Sequence, residues 1–214
     1  MYIINHSISS LVCIHHSMLR GARRGLLWYD RCIRQRPVLT KAVTSATLMG
    51  VGDTLSQYAE QRDQEEFRVD FARCARMAVI GSAIGPTLHY WYGTLDRFIT
   101  ATGSKGALAK LAFDQALFAP FIIAAVTTAI GVSEGKNWDQ LKHLLSNNYP
   151  EALKINYYIW PLANFINFNY VPPGFRVLFV SSLSMVWNAI LSNIAHKNHQ
   201  SHEGIAIEEI AVGT

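Results

Sequence analysis

The segment MAVIGSAIGPTLHYWYGTL, residues 77–95, runs 19 residues without a lysine, arginine, aspartate or glutamate. Crossing the hydrocarbon core of a bilayer, about 30 Å, takes about 20 residues of helix. Three more uncharged windows have that length: 115–133 with 19 residues, 155–175 with 21 and 177–196 with 20. Residues 42–59 add 18 more with one charge inside, Asp53. Core helices of water-soluble domains are shorter and carry a charge every turn or two on their wet face. The pattern predicts an all-α integral membrane bundle.

The windows are not equivalent. Residues 155–175 contain Pro161, Pro172 and Pro173 together with Asn156, Asn164, Asn167 and Asn169. Proline removes a donor and breaks the helical ladder, and in lipid each freed group costs several kcal/mol unless protein or water satisfies it. This window therefore reads as an interfacial or re-entrant segment. Four transmembrane helices remain, at about 38–60, 73–95, 111–132 and 175–195.

Of 214 residues, half are hydrophobic and 16% are charged, against about 25% charged in an ordinary soluble domain. That excludes a disordered chain. Cys13, Cys32 and Cys74 are odd in number and form no CxxC, which argues against a disulfide framework or a thiolate zinc site. Residues 1–36 hold six arginines and one acid, leaving residues 37–214 with a net charge of −1. A nucleic-acid-binding protein carries its basic residues across a folded face, so direct nucleic acid binding is not expected. Residues 1–29 have arginine and serine but no acid, the composition of a mitochondrial targeting leader. The expected organisation is a basic leader at 1–35, a four-span membrane domain at 36–196 and a polar tail at 197–214. An even number of spans puts both termini on one side, and the arginines place that side in the matrix.

Small residues recur at four-residue steps, Gly81 and Gly85 in the second span and Ala42, Ala46 and Gly50 in the first. Such stripes let helix backbones approach closely in lipid. Polar residues inside spans mark the candidate site. Asp53 and Gln57 lie one turn apart, Asp114 and Gln115 open the third span, and Ser181, Ser184, Asn188 and Ser192 share a face of the fourth. A carboxylate in the membrane faces a partner or a water-filled cavity. Asp53 divides evenly between a structural bond and a pore-lining acid. Asp114 has the alternative of sitting at the headgroups, and Asn188 that of an interhelical hydrogen bond. Lys41 is the one base inside a span, about three turns from Asp53, so no partner for Asp53 is evident and a hydrated setting is favoured. Arg73, Arg76 and Arg176 sit at span entrances, where snorkelling is the default.

Catalytic motifs such as GxSxG, Walker A, GxGxxG and HExxH are absent from the sequence, so no enzyme, cofactor or metal is expected. His196, His199 and His202 lie in a tail with few apolar neighbours to fix a metal site. The aromatic run His89-Tyr90-Trp91-Tyr92 reads as an interfacial belt.

Several stretches taken together resemble the Mpv-17 and peroxisomal 22-kDa membrane protein family. They include Gly52-Asp53-x-x-x-Gln57, Gly85-Pro86-x-x-His89-x-Trp91-Tyr92, Asp114-Gln115 and Trp187-Asn188-x-x-Leu191-Ser192. The long block Trp160-Pro161-x-x-Asn164-Phe165-x-Asn167-Phe168, followed by Val171-Pro172-x-x-Phe175-Arg176, is the most specific part. The run His89-Tyr90-Trp91-Tyr92 with Val171-Pro172-Pro173 is most similar to the Mpv-17-like protein 2 branch. The resemblance implies a four-span protein of the mitochondrial inner membrane, or alternatively of the peroxisomal membrane. It implies channel activity in the lipid bilayer, which we read as a weakly selective channel for small solutes; four short spans enclose little lumen, so a homo-oligomer is expected. The alternative it implies is a membrane scaffold for mitochondrial ribosome-assembly or nucleoid proteins.

Overall fold

The structure, a computed structural model, describes residues 21, 23–62 and 66–186. Most of the expected leader, the end of the last span with Trp187, Asn188 and Ser192, and the polar tail lie outside the described residues. Within the described residues every regular element is helical. The chain divides into two compact units, residues 1–40 and 41–214.

In the first unit, residues 23–35 form α1, whose Arg34 Nε donates to Asp30 at 2.9 Å one turn away. Helix α2 (Pro37–Glu60) begins on a proline, which suits a first helical position because the N–H it lacks has no partner there. In the second unit α3 (Phe71–Phe98) starts at Asp70, whose side chain accepts from the Arg73 N–H at 2.9 Å. A single run of helix follows, made of α4 (Gly103–Phe113), a wider π-turn (Asp114–Phe118) and α5 (Ala119–Ser133). Helix α6 (Trp138–Tyr170) opens with a reciprocal cap between Asn137 and Gln140, satisfying two otherwise orphaned donors. It packs along α4 and α5. Helix α7 (Arg176–Val186) closes the described chain.

Two expectations are corrected. The residues expected to form an interfacial or re-entrant segment are not a separate element: 155–170 continue α6, which runs through both Pro150 and Pro161 and stops only before Val171-Pro172-Pro173. A proline costs a helix one donor, and packing against α4 and α5 on one side tolerates that loss. The third helix also starts at Gly103 rather than near 111. Lys105 and Lys110 concealed its first turns from a count of uncharged residues. Asp114 consequently sits in mid-helix, buried at 2% exposure. Among the described residues one helix, Gly103–Ser133, is by itself long and apolar enough to cross a membrane.

The small-residue stripes meet as expected. A Cβ at Gly81 would fall 2.6 Å from the Ser45 carbonyl oxygen, and one at Gly85 2.3 Å from that of Lys41. The α2 and α3 backbones are thus in contact. Leu88, Tyr92, Leu95, Phe118, Phe168, Val177 and Val180 form the apolar core. The exposure pattern is inverted for a water-soluble domain. Lys41, Asp53, Gln57, Asp114, Asn164, Asn167 and Arg176 are buried, while Phe71, Val79, Phe98, Phe121 and Tyr158 are exposed.

Candidate functional site

A cavity of about 310 Å³ lies within the second unit, walled by α2, α3, the π-turn, α5, α6 and α7. Its greasy wall includes Leu88, Phe118 and Ile122, and its polar side includes Ser45, Asp114, Gln115, Asn156, Asn164 and Ser184. The π-turn sets Asp114 and Gln115 into this space. Such a turn is rare and recurs at functional positions because it re-aims side chains within an otherwise regular helix.

Asp114 accepts three hydrogen bonds, from Trp91 Nε1 at 2.9 Å, Gln115 Nε2 at 2.9 Å and Asn164 Nδ2 at 2.8 Å. All three donors are neutral, and no base pairs with Asp114 among the described residues. Trp91 is held flat against Phe118, with ring centroids 5.0 Å apart. Gln115 is fixed in turn, its Oε1 accepting from Asn156 at 3.1 Å and its carbonyl from the Tyr157 hydroxyl at 3.1 Å. Asn164 Oδ1 and both side-chain polar atoms of Asn167 are buried with no partner. A buried polar atom without a partner costs about 1–3 kcal/mol, and of these two residues Asn164 lines the cavity.

Asp53 and Gln57 are placed elsewhere. Arg73 Nε donates to Asp53 Oδ1 at 2.9 Å, and the same guanidinium forms a two-pronged pair with Glu60 at 2.7 and 2.9 Å. Gln57 donates to Asp53 Oδ2 at 2.8 Å and accepts from the Asp70 N–H at 2.7 Å. These bonds staple the end of α2 to the start of α3. The expectation that Asp53 lacks a basic partner is therefore overturned. Arg73, read as snorkelling, turns inward instead. The pair forms because α3 runs back along α2 and brings residues 20 apart together.

Arg176, also read as snorkelling, is buried and grips Asp96 with its Nη1 at 2.8 and 2.9 Å, while Lys110 reaches the same carboxylate at 2.6 Å. This cluster joins α3, α4 and α7, and no local spacing announces a pair 80 residues apart. His89 is not merely part of an aromatic belt, because Lys41, itself buried, donates to its Nδ1 at 2.9 Å. Of the remaining motif residues, Pro86 and Pro161 lie inside helices and Trp160 lines the cavity. Pro172 accepts from the Phe175 N–H in the turn before α7. Ser184 lines the cavity, whereas Trp187, Asn188 and Ser192 lie outside the described residues.

Residues 131–192 match the family described as the Mpv17 / PMP22 family. PXMP2/4 family protein 2 of Dictyostelium discoideum is 38% identical over 184 residues, which cover 81% of this chain and 93% of that protein. Protein sym1 of Aspergillus oryzae is 40% identical over 169 residues, covering 78% and 95%. The mitochondrial inner membrane protein Mpv17 of Homo sapiens is 35% identical over 179 residues, covering 80% and 98%. No solved structure matches. With relatives this similar along most of its length, the chain belongs to the Mpv17 / PMP22 family.

Proposed function

We propose that the chain is a mitochondrial inner-membrane protein that spans the bilayer four times and passes small polar solutes along its central cavity. The location follows the relatives named mitochondrial inner membrane protein Mpv17. The inverted exposure pattern supports the bundle. Tyr158, Leu162, Ile166 and Tyr170 make an outward stripe along α6 at four-residue steps, an apolar face that lipid would cover.

The observation that carries the solute path is the setting of Asp114, a buried carboxylate with neutral donors in a cavity that also presents Gln115, Asn164 and Ser184. A membrane-buried acid beside a cavity marks a functional site by default. Each bundle carries its own path through this cavity within a homo-oligomer. It needs neither cofactor nor catalytic residue.

Solute efflux from sealed proteoliposomes tests this. Wild-type protein is expected to release an entrapped small solute, and Ser184→Phe, which fills the cavity, to lose most of that release while inserting normally. Release no faster than from protein-free vesicles contradicts the reading.

The satisfied acids favour a second reading. Asp53 and Asp96 are both paired within the fold, as in a bundle that serves as a scaffold for ribosome-assembly or nucleoid proteins. Efflux indistinguishable from protein-free vesicles, together with ribosomal proteins enriched by proximity labelling, is its expected signature.

A further inference from the structure

On the outer surface a groove of about 940 Å³ lies between α3 and α5. Five alanines, two on α3 and three on α5, form its floor, and Val79 and Phe121 form its rims. Trp91 and Phe118 stack on each other, so the end of α3 lies beside the beginning of α5. The two helices run antiparallel, and the beginning of α3 lies beside the end of α5. The end of the groove toward Ser133 therefore carries Ala72, Ala75 and Arg76, and the other end Phe121. From Phe121 to Ser133 the helix rises about 18 Å, slightly more than half of a hydrocarbon core of about 30 Å. The groove has the length of one leaflet's acyl chain.

Arg76 makes this more than a greasy furrow. Of the three arginines at the span entrances, Arg73 pairs with Asp53 and Glu60, and Arg176 pairs with Asp96. Arg76 has no hydrogen bond or ion pair among the described residues, and its side chain lines the groove. Beyond the same end Lys136 is taken by Glu134. Among the described residues, the mouth thus carries one unpaired guanidinium above an apolar slot. A guanidinium matches phosphate oxygens with a rigid fork of donors.

We propose that this groove binds one anionic phospholipid, its acyl chain lying between α3 and α5 and its phosphate on Arg76. A second copy of the chain suits the groove less well. A second copy would have to bury the Arg76 guanidinium in an apolar contact, and the groove lining offers no carboxylate to pair with it. A zwitterionic lipid offers the same tail, but its own ammonium competes for the phosphate.

Native mass spectrometry of the full-length protein in detergent tests this, with phosphatidylglycerol and phosphatidylcholine of identical acyl chains as probes. One basic residue at a membrane surface favours an anionic lipid by about fivefold, so wild type is expected to retain phosphatidylglycerol over phosphatidylcholine by about that factor. Arg76→Gln should bring the two to parity without changing helical content or melting temperature. Ala125→Trp, which fills the slot, should lower the retention of both. Equal retention by wild type overturns the proposal, and so does a preference that survives Arg76→Gln. Binding unchanged by Ala125→Trp places the lipid elsewhere. A dimer that Ala125→Trp dissociates, with no lipid bound to wild type, gives the groove to a second copy.

Discussion

Gly85→Ala is expected to be among the most damaging single-methyl changes in this chain. The new Cβ would lie 2.3 Å from the Lys41 carbonyl oxygen, 2.6 Å from its carbon and 2.9 Å from the Ala42 nitrogen. All three atoms are backbone of α2, so no rotamer change relieves the clash and the helices must separate. Overpacking a tight contact costs about 1–3 kcal/mol where side chains can yield, and with backbone on the other side the upper end applies. Separation also disturbs what hangs on the contact. Lys41 bonds His89, and Ser45 bonds Ser181 at 2.9 Å. A melting temperature in detergent many degrees below wild type is expected for Gly85→Ala. Gly50→Ala serves as the control, because its Cβ would meet only ordinary contacts at 3.6 Å and beyond. Equal melting of the two variants contradicts close packing at Gly85.

Asp96→Asn is the second large effect. The Arg176 side chain is 6% exposed and that of Lys110 12%, and Asp96 is the carboxylate between them. Removing one partner of a buried pair costs about 3–5 kcal/mol, because the remaining charge stays buried without compensation. Asp96 is itself 30% exposed, which puts the expectation near the lower end, about 3 kcal/mol. Asp96 lies just past the second proposed span. Burial opposes its ionisation, but hydrogen bonds from Lys110 and Arg176 outweigh that and hold its carboxyl below the usual range. A folded-state value below the unfolded one means the contribution is fully present above about pH 4 and is lost as pH falls through the folded value. Asp96→Asn should therefore lower thermal stability at neutral pH and flatten the loss of stability on acidification. A variant as stable as wild type at pH 7 contradicts the role given to this cluster.

Uncharged length was a sound guide to two of the helices. It located α2 at 38–60 against Pro37–Glu60 and α3 at 73–95 against Phe71–Phe98. It failed where charges are used inside the protein. Lys110 interrupts the count yet belongs to the helix and pairs with Asp96. Asparagines and prolines argued against a clean span through residues 155–175, but two of those asparagines, Asn164 and Asn167, turn inward onto buried surroundings. The close approach of α2 and α3 was legible because glycine spacing reports it directly.

Half of the candidate site was visible for the same kind of reason. Asp114, Gln115 and Ser184 stand out as polar residues in apolar windows, and the structure brings all three to one cavity. Asp53 stood out equally and went elsewhere, because its partner Arg73 comes from the start of the next helix. Asn156 and Ser45, which also line the cavity, carry no sign in the sequence that separates them from their neighbours. Their place depends on which helices meet, and that is a property of the whole bundle.

The most direct test of the solute path is current through planar bilayers containing purified wild type or Asp114→Asn, each shown to be folded and inserted. Asp114 is the acid that faces the cavity without a basic partner, and carboxylates lining a pore favour cations. Wild type is expected to conduct with a cation preference seen in the reversal potential under a salt gradient, and Asp114→Asn to conduct with that preference reduced. A silent wild-type bilayer, or a reversal potential that Asp114→Asn leaves unchanged, contradicts the account.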